Sequence, residues 1–178
     1  MRWMSSAIGA TIVAIAVYFA VFWGADAVRT LTSATFGLDD VWRSQVTFGI
    51  ARYVGIGPEG YLTLSAVIGA LKLTVAAVCV FHIAARIRAL FTGGEIGTEA
   101  LETGLLLAAA VSIVSLIPAA WSHNGDLARE LVLQLVLALA GAAACIVQRR
   151  RPATADGADD KPAAPTVSEE YWFVPWRR

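Results

Sequence analysis

Hydrophobic residues run almost unbroken over four stretches, residues 7–24, 61–85, 104–121 and 131–147, each bounded by charged or turn-forming segments. A helix needs about 20 such residues to cross the hydrocarbon core of a bilayer. The pattern predicts an all-α fold: a bundle of four transmembrane helices over residues 1–148, then a polar tail over 149–178.

Between the first two stretches the pattern changes. In LDDVWRSQVTFGIARYV, Leu38, Trp42, Val46, Ile50 and Tyr53 recur at helical spacing, while Asp39, Asp40, Arg43 and Arg52 fall largely off that stripe. An amphipathic helix over residues 38–54 is expected. It either lies in the outer interface, with Trp42 and Tyr53 anchoring it at headgroup depth, or packs on the outer end of the bundle. GIGPEG then breaks the helix before the second span. Further on, Thr98 followed by Glu102 marks a helix start with acidic residues in its first turn.

Composition agrees with a membrane location. Hydrophobic residues make up 57% of the chain and charged residues 16%, against about 25% charged in ordinary soluble domains. The first stretch, with its basic start and Ala25-Asp26-Ala27 end, resembles a signal peptide, but it exceeds the usual 7–15 residue apolar region. It is read as an uncleaved anchor. Arg2, Arg86, Arg88, Arg149, Arg150 and Arg151 flank the spans on one side, which predicts a bacterial-type inner (plasma) membrane protein with both termini cytoplasmic. Arg29, Arg43 and Arg52 in the long outer loop, offset there by acidic residues, oppose that bias in part.

The polar residues inside the spans are few. Lys72 sits on the order of 16 Å from the outer end of the second span, where an unpaired charge costs several kcal/mol. Its helical stripe reads Ser65, Gly69, Lys72, Ala76 and Cys79, with His82 at the edge. The small residues suit close helix packing. Ala108, Ser112, Ser115 and Ala119 form a similar stripe on span three, and Ala138 and Gly141 continue one on span four. Lys72 is therefore expected to face the bundle. The nearest partners on this pattern are Gln134 and Glu130, which share a face of span four, and the hydroxyl of Ser112. A clasp of Lys72, Gln134, Glu130 and Ser112 is one reading. A carboxylate from another subunit is a second, and a working ion, proton or anion site is a third.

Other chemistry finds little support. Cys79 and Cys145 lie within spans and read as packed, reduced thiols. His82 and His123 stand at different depths, so one copy cannot hold a haem between two histidines. Cys79, His82 and Cys145 are three potential metal ligands, but packed side chains are the expectation and no metal or cofactor is assigned. Phosphate loops, nucleophile elbows, HExxH and CxxC are missing from the sequence. The basic residues are too few for nucleic acid. No small-molecule substrate is inferred, and an enzyme is not expected.

The segment RRRPATADGADDKPAAPTVSEE has the composition of a disordered linker, yet it ends in YWFVPWRR. Tyr171, Trp172, Phe173 and Trp176 suit docking on a partner or insertion at the inner interface. The leading reading is a small non-catalytic accessory or assembly subunit of a respiratory, photosynthetic or transport complex, whose partners are other integral membrane subunits and the lipid bilayer. Two alternatives remain. The plan of four spans with both ends inside is similar to that of the small membrane subunit of tripartite periplasmic transporters, a resemblance of topology without a shared motif. The other is a homo-oligomeric carrier or channel built around Lys72.

Overall fold

The computed structural model describes residues 2–92, 97–121 and 125–150, with side chains from residue 7 onward. The aromatic tail, including Tyr171, Trp172, Phe173 and Trp176, lies outside the described residues. Helix α1 (Arg2–Tyr18) passes through a π-helical turn (Phe19–Trp23) directly into α2 (Gly24–Thr32). Three long helices follow after a short one: α3 (Val41–Val54), α4 (Tyr61–Thr92), α5 (Glu99–Trp121) and α6 (Gly125–Arg149). No strand occurs among the described residues. Four continuous helical segments, α1–α2, α4, α5 and α6, are long and apolar enough to cross a membrane.

Helix α1 packs against α4 and α6, and α5 packs against the same two helices, so the four form a closed ring. Small residues line its inside: Ala16, Ala76, Cys79, Ala108, Ser112, Ala138 and Cys145 are all buried. Large apolar residues such as Phe19, Leu101 and Leu105 fill the remaining interior, but many others face out, as with Val67, Val80 and Phe81 on α4 or Leu133 and Val136 on α6. A water-soluble bundle would hide most of these from water. With lipid outside they cost nothing where they are, and the small residues let the backbones approach. The chain is a multi-pass membrane protein.

The expected packing residues sit at these close approaches. A Cβ on Gly69 would stand 3.0 Å from Thr30 Cγ2, and one on Gly141 would stand 2.8 Å from Leu105 Cδ1 and 3.0 Å from Ile15 Cγ2. Ala76 meets Gly24 of α2. Ser65 does more than pack. Its hydroxyl donates to the Phe36 carbonyl at 2.7 Å, tying the α2–α3 connection to α4.

The first span differs from expectation. It does not end near Gly24 but continues eight residues further, to Thr32. The π-helical turn explains how its buried face is kept. Phe19, Trp23 and Ala27 are all buried and lie four residues apart, a spacing that drifts around an ordinary helix but is retained by a wider turn. Past this turn, α2 leans on α4, while contact with α6 is left chiefly to α1. A gap opens there between α2 and α6.

Helix α3 closes this end. Asp40 starts it by accepting the backbone N–H groups of Trp42 (2.9 Å) and Arg43 (3.3 Å), and Gly55 ends it at φ +78°. In the preceding turn the Thr35 hydroxyl donates to Asp39, which holds that carboxyl below the usual carboxylate range. Of the two placements the pattern allowed, packing on the bundle is observed: Thr47, Ile50 and Ala51 are buried, and α3 contacts α5 and α4. The expected stripe is buried in part: Ile50 is buried and Val46 packs against the cluster of Ala119, Leu127 and Leu131. Trp42 and Tyr53 remain largely exposed, and the small residue Gly49 instead turns to the Pro118 ring of α5. Tyr53 pairs edge-on with Trp121 at 6.3 Å, and Phe48 packs on Tyr61 at 5.0 Å. Aromatic side chains thus gather at this end, as at a membrane–water interface.

Candidate functional site

The gap between α2 and α6, roofed by α3, is a cavity of about 500 Å³. Its charged lining comes from four elements: Asp26 and Arg29 on α2, Asp40 and Arg43 at the start of α3, Lys72 on α4, and Glu130 on α6. Apolar residues, among them Phe22, Val46, Ile68 and Leu131, fill the space between.

Asp26 is the centre of the network. Its Oδ2 accepts from Lys72 Nζ at 2.7 Å, and its Oδ1 accepts from Arg43 Nε at 2.9 Å and Nη2 at 2.8 Å. One carboxylate thereby serves two cations from two other helices. Arg43 also stands 3.6 Å from Asp40. All three central side chains retain between 21% and 29% exposure, so they are mostly withdrawn from water but not sealed. At such depth the attraction is little screened, and the loss of one partner leaves the others stranded.

Trp23 separates this network from a second one. Its ring lies 5.7 Å from Lys72 Nζ, within reach of a cation–π interaction. Its indole Nε1 donates to Gln134 Oε1 at 3.2 Å, and Gln134 Nε2 in turn donates to Glu130 Oε1 at 3.2 Å. The expected clasp is therefore only half present. Gln134 and Glu130 are joined and share the cavity with Lys72, but Lys72 bonds to Asp26, with Trp23 standing between it and the amide. Ser112 is buried, and its hydroxyl has no hydrogen-bond partner among the described residues. Ser115, one helical turn further along α5, lines the cavity in its place.

Asp26 is hidden in the sequence because the apolar run ends two residues before it. The signal is present in the buried spacing from Phe19 through Trp23 to Ala27 and Thr30, which carries the helix past the aspartate. Arg43, which falls off the apolar stripe of its helix, is turned inward by the same carboxylate.

Trp23→Phe keeps an aromatic ring but removes the indole N–H that Gln134 Oε1 accepts. With Gln134 buried, the variant should lose about 1–2 kcal/mol of stability. Thermal unfolding in detergent checks this; an unchanged midpoint would count against the bond.

At the opposite end, Arg86 donates to Gln148 at 3.2 Å and Arg149 pairs with Glu102 at 3.5 Å, linking the ends of α4, α5 and α6. His82, Cys79 and Cys145 are buried close to this end. Among the described residues, no group of three His, Cys, Asp or Glu side chains is placed to hold a metal ion.

No family model, curated protein or solved structure matches this chain.

Proposed function

We propose that this chain is a non-catalytic accessory or assembly subunit of a larger membrane complex of the respiratory, photosynthetic or transport kind. It resides in a bacterial-type inner membrane with both termini in the cytoplasm. The observation that carries the proposal is the Lys72–Asp26–Arg43 network. The intramembrane lysine finds its counter-charge within its own chain, which favours a lock on the fold over a reactive or conducting group. It also removes the need for a carboxylate from another subunit at this position. Helix ends rich in arginine, Arg86, Arg88, Arg149 and Arg150, lie together opposite α3 and support the orientation.

The surface offered to other subunits is apolar and lipid-like over the spans, so it gives little specificity by itself. The aromatic sequence at residues 171–176 supplies a distinct docking element in this reading. A chain ending at Ala163 should insert and unfold like the full-length protein but lose its co-purifying membrane subunits. Quantitative mass spectrometry of both chains, solubilised in mild detergent, is the test. An unchanged set of partners would remove the tail from the proposal.

A further inference from the structure

We propose that the cavity between α2 and α6 binds the headgroup of a zwitterionic aminophospholipid. The two sides of the cavity carry opposite excess charge. On the α2–α4 side, Asp26 is shared by Lys72 and Arg43, so one cationic charge remains over. Arg29 lines the same side and forms no side-chain hydrogen bond or ion pair with the described residues. Asp40, 3.6 Å from Arg43, offsets only part of this excess. Lys72 moreover uses one of its three N–H groups on Asp26, leaving donors for an anion.

On α6 the sign is reversed. Glu130 accepts one amide hydrogen from Gln134 and takes part in no salt bridge among the described residues. Trp23 stands between the two sides, bonded to Gln134 along its edge and facing Lys72 with its ring. A purely anionic ligand would meet Glu130, and a purely cationic one would meet Lys72 and Arg29. A ligand with a phosphate and a primary ammonium satisfies both sides at once.

The rim identifies the ligand as an amphiphile. Val21 and Phe22 line the cavity yet are 57% and 61% exposed, on the outer face of the first span. Leu131 of α6 lines the facing side. The gap therefore has an apolar lip toward the lipid, where acyl chains can lie while the headgroup enters. The volume, about 500 Å³, falls within the range of ligand sites, about 300–1,000 Å³.

Native mass spectrometry of the full-length, delipidated protein in detergent tests the assignment. Phosphatidylethanolamine and phosphatidylglycerol with identical acyl chains are titrated separately, and soluble glycerophosphoethanolamine is added as a competitor. Phosphatidylethanolamine should be retained several-fold better than phosphatidylglycerol, and the soluble headgroup should compete poorly. Glu130→Gln should abolish the preference, and Arg29→Gln should weaken both lipids. Both positions are solvent-exposed, and unchanged thermal midpoints verify that the variants fold. Equal retention of the two lipids, or a preference that survives Glu130→Gln, overturns the proposal. Equal competition by the soluble headgroup assigns the site to a small zwitterionic solute and overturns the lipid assignment.

Discussion

Asp26→Asn should be the most damaging conservative substitution in the bundle, lowering stability by about 2–4 kcal/mol. It keeps the shape of the side chain but leaves Lys72 and Arg43 without the carboxylate that both hold. Two cations would then face each other across a neutral amide in a region mostly withdrawn from water. Lys72→Met should cost less, within about 1 kcal/mol, because Arg43 still grips Asp26 through two donors and the methionine suits the apolar surroundings. Glu130→Gln should change little, since the side chain accepts a single amide hydrogen and remains exposed to the cavity. Thermal unfolding of the three variants in one detergent gives the order. A larger loss for Lys72→Met than for Asp26→Asn would contradict the central position of the carboxylate.

Gly49→Ala is the second substitution with a large expected effect, about 3 kcal/mol, at the upper end of what overpacking costs. An added Cβ would overlap the Pro118 ring and stand 3.3 Å from its Cα. The obstacle is a rigid ring on a helix backbone, which cannot rotate away as a long side chain would. Helix α3 must then lift from α5, and the Tyr53–Trp121 contact on the same surface should be lost. Because Arg43 belongs to α3, this movement also loosens its hold on Asp26. Limited proteolysis within residues 41–54, together with the unfolding midpoint, reports the displacement. Protection equal to that of the unsubstituted protein would show that α3 tolerates the methyl group where it lies.

Much of the fold follows from features visible in the chain. Runs of apolar residues interrupted by small ones at helical spacing place four spans and their packed faces, because lipid selects small residues for helix contacts. Ser65, Gly69, Ala76, Ala138 and Gly141 all occupy such contacts or the bundle interior. The depth of Lys72 marks it as a residue that must be paired. What one-dimensional spacing lacks is the partner. A regular helical period loses its face at the π-helical turn of Phe19–Trp23, so the turn hides the continuation of the first span and the place of Asp26. The amphipathic stripe of α3 gives only part of its packed face, Val46 and Ile50. Against a proline ring, closeness is set by the absence of a side chain at Gly49, and a search for large apolar residues passes over it. Trp23 sits within an apolar run, yet its indole meets two polar networks distant in sequence, Gln134 through its N–H and Lys72 through its ring.

The most direct test of the functional account is the composition of the particle that the full-length chain forms when extracted from its native membrane in mild detergent. The proposal predicts a complex containing this chain in fixed ratio with larger integral membrane subunits, identified by mass spectrometry and by its size. A particle made of this chain alone, as a monomer or a homo-oligomer, would contradict it and move Lys72 and the adjoining cavity to solute-flux measurements.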